Sequence, residues 1–318
     1  MTGDMTGDDS GRPVPRRAPV VAVVGPTAAG KSELSLDLAE ALGGEVVNTD
    51  SMQVYRGMDL GTAKLTEVER RGVRHHLLDV LDVTEPATVA EFQRMARAVI
   101  EDCGDRGVTP VLVGGSALYT RAVLDRFEFP GTDPGVRARL EAELDSFGAE
   151  ALHARLTTVD PLAAERITMA NGRRVVRALE VIEITGRPFT ATLPSLTYFY
   201  DAVQVGVEIP RPVLDARIAL RVEQMWDAGF VEEVRRLAGA GLREGRTAAR
   251  ALGYQQVLAF LDGRITESEA RLETVARTRR FARRQDAWFR KDPRITWVGW
   301  DDPNGVQEAL VAIRGPQD

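Results

Sequence analysis

Residues 25–32 have the sequence Gly25-Pro26-Thr27-Ala28-Ala29-Gly30-Lys31-Ser32, which matches the phosphate-loop pattern G-x-x-x-x-G-K-[ST]. An apolar run at residues 20–24 precedes this stretch, and leucines at residues 34, 38 and 42 follow it. The pattern predicts a strand, a loop and a helix in the order that phosphate binding requires. The alternative is an ordinary glycine turn between a strand and a helix.

The residue types of this loop suit an anion. The glycines let backbone N–H groups face a phosphate, and the N-terminus of the following helix adds positive potential. Lys31 is expected to reach the outer phosphates, and the hydroxyl of Ser32 is expected to bind Mg²⁺. We therefore expect all eight residues to contact a phosphate chain, with Mg²⁺ as the cofactor.

The composition is that of a globular protein with a substantial core, since 44% of the 318 residues are hydrophobic. The single cysteine, Cys103, excludes an internal disulfide framework and a multi-cysteine zinc site, and it is consistent with a reducing cytoplasm. No run approaches the ~18 apolar residues of a membrane helix, so we expect no membrane partner. Residues 1–18 are rich in Gly, Asp, Pro and Arg and are predicted to form a disordered tail.

Further along the chain, strands and helices alternate. Short, mainly apolar segments at residues 45–50, 75–80, 110–113, 203–207 and 295–298 predict strands, and helical patterns separate most of them. This alternation predicts an α/β fold of the P-loop NTPase-like type, with a parallel sheet flanked by helices. Residues 130–196 are helical in pattern and rich in Arg, so we interpret them as a helical insertion domain between core segments 19–129 and 197–318.

The carboxylate best placed for chemistry is Asp50. Enzymes that hydrolyse nucleotides need an acid at the end of a second strand, but the strand at 110–113 runs into Gly-Gly-Ser, which disfavours hydrolysis. Asp50 instead ends the predicted strand at 45–50, at the sheet edge where active-site residues collect. The alternative is that Asp50 only caps a turn.

Charge is distributed unevenly along the chain. The net charge is −6, which argues against non-specific binding of nucleic acid, yet the stretch from Arg271 to Arg294 holds nine basic and three acidic residues. Such a stretch favours either a nucleic-acid contact or a plain solvated helix face.

Several motifs in this order resemble those of the tRNA dimethylallyltransferase family of bacterial type, also called tRNA isopentenyltransferases. They are residues 25–32, 50–55 (Asp-Ser-Met-Gln-Val-Tyr), 57–64 (Gly-Met-Asp-Leu-Gly-Thr-Ala-Lys), 75–79 (His-His-Leu-Leu-Asp), 114–119 (Gly-Gly-Ser-Ala-Leu-Tyr), 160–161 (Asp-Pro), 177–181 (Arg-Ala-Leu-Glu-Val), 253–256 (Gly-Tyr-Gln-Gln) and 283–290 (Arg-Arg-Gln-Asp-Ala-Trp-Phe-Arg). The resemblance spans nearly the whole chain. A departure is Asn171-Gly172, where the family usually has Asn-Asp.

The resemblance implies transfer of a dimethylallyl group from dimethylallyl diphosphate to the N6 amine of adenosine 37 in a tRNA. The phosphate loop would then hold a diphosphate leaving group, with Thr27, Lys31, Ser32 and Arg221 in contact with it. Asp50 would accept the proton of the amine, so Asp50, Lys31 and Ser32 are the predicted catalytic residues.

The resemblance also implies binding of the tRNA anticodon stem-loop by a monomeric enzyme of the cytoplasm. The predicted tRNA-binding residues are Asp50, Ser51, Met52, Gln53, Ser116, Arg137, Arg174, Arg177, Gly253, Tyr254, Gln255, Gln256, Arg283 and Arg284.

Two hypotheses from other classes stay open on sequence grounds. A small-molecule or nucleotide kinase shares the phosphate loop and would release ADP from ATP. A non-catalytic RNA-binding protein would bind tRNA and form no product.

Overall fold

The computed structural model describes residues 18–127, 129–189 and 196–315. Its strands are β1 (Val20–Val24), β2 (Gly44–Asn48), β3 (His75–His76), β4 (Thr109–Gly114), β5 (Ala202–Glu208) and β6 (Ile295–Gly299). They form one sheet in the order β3-β2-β4-β1-β5-β6, and every neighbouring pair is parallel. The predicted α/β fold with a parallel sheet is confirmed.

Helices follow most of the strands. They are α1 (Lys31–Leu42), α2 (Val89–Asp105), α3 (Ala117–Leu124), α4 (Pro134–Val159), α5 (Pro161–Arg166), α6 (Gly172–Thr185), α7 (Arg211–Asp227), α8 (Phe230–Gly239), α9 (Tyr254–Leu261), α10 (Glu267–Phe289) and α11 (Gly305–Arg314). All five residues of β1 are buried, as expected for a central parallel strand covered by helices on both faces.

The predicted strand at 75–80 is wrong beyond its first two residues. Leu77 and Asp79 have left-handed backbone conformations, with φ of 61° and 56°, and such conformations cannot continue a strand. The buried Lys64 ammonium donates to Asp79 Oδ1 at 2.6 Å and so fixes this turn. Helix α11 was not predicted, although its buried residues Ala309, Leu310 and Ile313 have helical spacing.

Helices α4, α5 and α6 share a hydrophobic cluster of their own, which includes Leu140, Leu156 and Val175. Helix α4 is interrupted at Gly148, whose φ of 79° and ψ of 169° are not helical. Most of the predicted insertion is therefore helical, while residues 190–195 and the tail residues 1–17 lie outside the described residues. The division into an insertion domain and a core stays a prediction.

The sheet places three functional loops side by side. β1 leads into residues 25–30, β2 into Asp50, and β4 into Gly115 and Ser116, so all three loops leave the carboxyl edge of neighbouring strands. Helices α7 and α10 pack beside this edge, where Ala28, Ile218 and Ala282 form a small buried cluster.

Candidate functional site

The phosphate loop adopts the strained backbone that its glycines permit. Gly25 and Gly30 have φ of 140° and 110°, and Ala28 also has a positive φ of 66°. Helix α1 begins directly after Gly30, so its free N–H groups lie at the loop. Lys31 Nζ donates to Pro26 O at 2.7 Å, which holds the lysine back over its own loop.

Two desolvated cations meet at this loop. Burial and the neighbouring Arg221 guanidinium lower the pKa of Lys31 to about 8, although the Asp50 carboxylate opposes the shift. Burial and Arg217 also lower the pKa of Arg221. Among the described residues, Arg221 has no hydrogen-bond or ion-pair partner, which is costly for a largely buried arginine. This pair of cations is therefore suited to an anionic ligand.

Asp50 caps a turn and also lies on the wall of a cavity, while its role as a base stays a prediction. Its Oδ1 accepts a hydrogen bond from Met52 N at 2.8 Å and so caps the turn that follows β2. It also lines the cavity described below. Burial raises the pKa of the carboxyl above its ordinary value, against the opposing effects of the Met52 N–H and of Lys31. A carboxylate with a raised pKa is a stronger base.

A cavity of about 380 Å³ opens beside the phosphate loop. One part is polar and includes the predicted site residues Thr27, Asp50 and Arg221. Over the whole cavity, more of the lining surface is apolar than polar. The cavity is lined by Thr27, Ala28, Asp50, Ser51, Met52, Gly61, Thr62, Ala63, Ser116, Ile218, Arg221, Val222, Met225, Phe230, Arg250, Ala251, Leu252, Gly253, Thr274, Thr278, Phe281 and Arg284.

Sequence reasoning missed the residue that joins two of the site loops, Gln285 on α10. Its Oε1 accepts from Thr27 N at 2.9 Å, and its Nε2 donates to Gly115 O at 2.8 Å. A Cβ on Gly115 would lie 2.2 Å from this Nε2, so a side chain at this position would displace the Gln285 amide. The only signal was the motif at 283–290, which did not distinguish Gln285 from its neighbours.

A buried carboxylate, Glu233 on α8, holds another wall of the cavity. It accepts from Leu60 N at 2.8 Å, from Asp59 N at 3.2 Å and from the Tyr254 hydroxyl at 2.6 Å. These bonds fix the segment that places Gly61 on the cavity wall. The pKa of Tyr254 is raised well above its ordinary value, chiefly by burial and then by the Glu233 charge.

The burial of Tyr254 and Gln256 corrects part of the predicted RNA surface. Tyr254 is fully buried, and Gln256 accepts from Gly253 N at 2.9 Å inside the protein. Neither side chain is exposed in this structure, because Gln256 supports the turn before α9 and the Tyr254 hydroxyl donates to Glu233. Gly253 itself lines the cavity. Gln255 is half-buried, and its Nε2 donates a hydrogen bond to Arg250 O at 2.6 Å.

Arg137 and Arg177 are also engaged within the protein. Both guanidinium groups pair with Glu180, whose carboxylate is fully buried between α4 and α6. Arg177 also donates to Pro130 O at 2.7 Å. These bonds serve the packing of the helices, so direct phosphate contacts by these two arginines would compete with them. Arg174 is exposed.

Of the remaining predicted RNA contacts, Ser51, Met52, Ser116 and Arg284 line the cavity. Ser51 Oγ and Ser116 Oγ are 3.4 Å apart, and both residues line the cavity. Gln53 Nε2 donates to Thr62 O at 3.0 Å. Arg283 and Arg284 are exposed, and within the described ranges neither has an ion-pair partner. RNA binding by these residues stays a prediction.

Other arginines of the 271–294 stretch are paired. Arg290 bonds Glu208 at 2.6 Å, and Arg294 bonds the buried Asp125 at 2.7 Å. The basic stretch therefore divides into a structural part and an exposed part, a distinction that charge counting did not make.

A possible cation site elsewhere is built from Glu45, His76 and Cys103, whose ligand atoms lie within 4.8 Å of one another. Arg106 donates to both Glu45 oxygens, at 2.8 and 2.6 Å, and so neutralises the carboxylate. Burial raises the pKa of the Cys103 thiol to about 11, which disfavours the thiolate that a metal needs. The cluster is better described as an ion-pair network.

Comparison with protein families matches residues 53–292 to the family described as IPP transferase. A tRNA dimethylallyltransferase of Nocardioides sp. is 65% identical over 307 residues, which cover 96% of this chain and 99% of that protein. A tRNA dimethylallyltransferase of Streptomyces coelicolor is 65% identical over 289 residues, which cover 91% of this chain and 92% of that protein. The chain belongs to the IPP transferase family.

Solved structures of family members share this architecture. The full-length tRNA isopentenylpyrophosphate transferase of Bacillus halodurans is 41% identical, with a TM-score of 0.69 and coverage of 93% of this chain and 94% of that one. A eukaryotic dimethylallyltransferase acting on tRNA is 25% identical, with a TM-score of 0.82 and coverage of 93% of this chain and 78% of that one. The family resemblance in the sequence is thereby confirmed. None of the described helices has the length and apolarity that crossing a membrane requires.

Proposed function

We propose that this chain transfers a dimethylallyl group from dimethylallyl diphosphate to the N6 amine of adenosine 37 in tRNA. The observation that carries the proposal is the pairing of opposite chemistries in one cavity. At one end Arg221, unpartnered within the described part of the chain, lies beside the desolvated Lys31. The adjoining wall, which includes Ile218, Val222 and Phe281, is apolar. A prenyl diphosphate has one highly charged end and one hydrocarbon end, and so complements both.

The leaving group would stay at the phosphate loop. As the C–O bond of the donor breaks and the bond from N6 to the allylic carbon forms, negative charge accumulates on the diphosphate. The fold holds the groups that stabilise this charge in place before the reaction begins. They are Lys31, Arg221 and the N–H groups at the start of α1. Side chains such as Val222 and Met225 exclude water from the allylic carbon.

The proton of the amine needs an acceptor within the cavity. Asp50 is the carboxylate that lines the cavity, and its raised pKa suits it to accept the N6 proton. Its turn-capping bond from Met52 N fixes the orientation of the group. Bound tRNA would present adenosine 37 through the mouth lined by Ser116 and Arg284, and an unstacked base can be splayed into such a pocket.

Mg²⁺ fits the donor groups at the loop. The Ser32 hydroxyl lies in the first turn of α1 and has no hydrogen-bond partner among the described residues. Together with diphosphate oxygens it offers the hard oxygen ligands that Mg²⁺ prefers. The ion would neutralise part of the diphosphate charge. We also propose that the enzyme is monomeric and works in the cytoplasm.

The direct test is transfer of label to RNA. The protein is incubated with labelled dimethylallyl diphosphate, Mg²⁺ and unmodified tRNA, and the RNA is digested to nucleosides. We expect label on N6-modified adenosine, and none when guanosine replaces adenosine 37. ADP formed from ATP without label in RNA would instead indicate a kinase, and tRNA binding without product would indicate a binding protein.

A further inference from the structure

The exposed face of the second half of α10 carries an unusual combination of residues. Arg280, Arg284 and Trp288 follow one another at steps of four residues, so they lie on one side of α10, and Lys291 follows just beyond the end of the helix. All four are exposed, and 45% of the Trp288 side chain surface is open to solvent. A single exposed tryptophan is not unusual by itself, so its meaning depends on what surrounds it.

The three cations on this face are free to bind an anion. Among the residues that the structure describes, neither Arg280, Arg284 nor Lys291 has an ion-pair partner. The acidic residue of the same helical segment, Asp286, instead pairs with Arg290, with Nε and Oδ1 3.5 Å apart. Trp288 is therefore surrounded by positive charge that nothing on the face neutralises.

The face reaches the substrate cavity at Arg284, which is exposed and also lines that cavity. Trp288 lies one helical turn beyond Arg284, about 6 Å away. Helix α3 begins after Ser116, which lines the same cavity. Its Arg121 guanidinium lies 5.7 Å from the Trp288 ring, and its Leu118 is 44% exposed. Two helices thus frame one indole ring beside the opening.

An exposed aromatic ring among arginines is the composition of a single-strand RNA platform. Bases stack on the ring, and the cations contact the backbone phosphates. A base that neighbours a nucleotide splayed into the cavity has lost one stacking partner, so an aromatic surface at the mouth can replace it. An anionic membrane would also attract such a face, but the position at the mouth of the cavity favours RNA.

We propose that Trp288 stacks on an unpaired base next to the modified adenosine, and so positions the RNA loop. This inference rests on the proposed function. The indole is a binding residue that touches the RNA but not the reacting atoms. Its removal should weaken RNA binding without affecting the prenyl donor.

The test compares Trp288→Ala and Trp288→Phe with a matched control, Leu272→Ala. Leu272 is an apolar residue of the same helix that is 68% exposed, and it lies 16 residues away, about 24 Å along the axis. The KM for an anticodon stem-loop RNA is measured by label transfer at several salt concentrations. We expect Trp288→Ala to raise this KM about 5- to 150-fold, and Trp288→Phe to retain most of the affinity.

The salt dependence separates stacking from charge. Loss of a stacked base releases no counterions, so the log–log slope of RNA affinity against salt should be unchanged in Trp288→Ala. In a second arm, RNAs carry an abasic nucleotide on one side or the other of the target adenosine. We expect one of them to bind the wild-type protein as weakly as Trp288→Ala binds intact RNA, with no further loss in the variant.

The outcomes distinguish this inference from the proposed function. If the wild-type protein transfers no label to RNA, the proposed function fails. If it transfers label and Trp288→Ala has a KM within twofold of wild type, the stacking role alone is rejected. The stacking role is also rejected if Trp288→Ala binds both abasic RNAs more weakly than the wild-type protein does. It is rejected as well if the KM for dimethylallyl diphosphate rises as much as the KM for RNA.

Discussion

Replacement of Asp50 by Asn gives the sharpest test of the proposed chemistry. In the wild-type protein, Asp50 Oδ1 accepts a hydrogen bond from Met52 N at 2.8 Å. The amide oxygen of asparagine can accept the same bond, so the turn after β2 should persist. What disappears is the ability to take a proton from the amine. We expect kcat to fall by about 10² to 10⁴, equivalent to about 3 to 5 kcal/mol in the barrier, while both substrates still bind.

The same substitution also removes a negative charge near Lys31. Asp50 raises the pKa of Lys31, so in Asp50→Asn that pKa falls further below about 8. Comparisons belong near pH ~7, where a lysine with a pKa of about 8 stays protonated and diphosphate binding is least disturbed. In the wild type, kcat should fall as the pH drops through the raised pKa of Asp50, because only the ionised carboxylate is a base.

The assay is single-turnover transfer of label with saturating tRNA, so that product release does not mask chemistry. The matched control is Asp82→Asn, since Asp82 belongs to an exposed ion pair with Arg56 at 2.8 Å and such pairs contribute little. A near-wild-type rate in Asp50→Asn would refute the role as base, leaving Asp50 as a turn cap only.

Three further predictions concern binding and positioning. Lys31→Ala should abolish turnover and weaken binding of dimethylallyl diphosphate, while tRNA affinity stays within a few-fold. In the wild-type protein, titration calorimetry should show that the affinity for dimethylallyl diphosphate falls as the pH rises above about 8, because the protonated lysine is the binding form. Replacement of Arg283 and Arg284 by Ala should reduce the log–log salt slope of tRNA affinity by about 0.7 to 0.9 per lost phosphate contact, and an unchanged slope would make them plain surface residues. Gly115→Ala should lower kcat at least about tenfold, because its Cβ would lie 2.2 Å from Gln285 Nε2. Adding Gln285→Ala to this variant should recover part of the loss. If the effects of the two substitutions on kcat simply add, the contact is not responsible.

Much of the fold was determined by local sequence. The phosphate loop follows from residues 25–32 alone, because glycines, lysine and the flanking periodicities act within a few residues of one another. The strands at 20–24 and 110–113 were found for the same reason, as continuous apolar runs, and the strand at 203–207 was found from its alternating valines. The strand at 75–80 was overestimated because left-handed residues such as Leu77 leave no mark on hydrophobic spacing.

The tertiary structure alone decided how the site is held together. Gln285 meets Thr27 across 258 positions of sequence, and Glu233 meets Leu60 across 173. It also decided which basic residues are free, since Arg137 is bound to the buried Glu180 while Arg284 faces the cavity. Composition and periodicity record which residues are apolar and how they are spaced. They do not record which distant side chains meet, because each such contact depends on the packing of separate helices against one sheet.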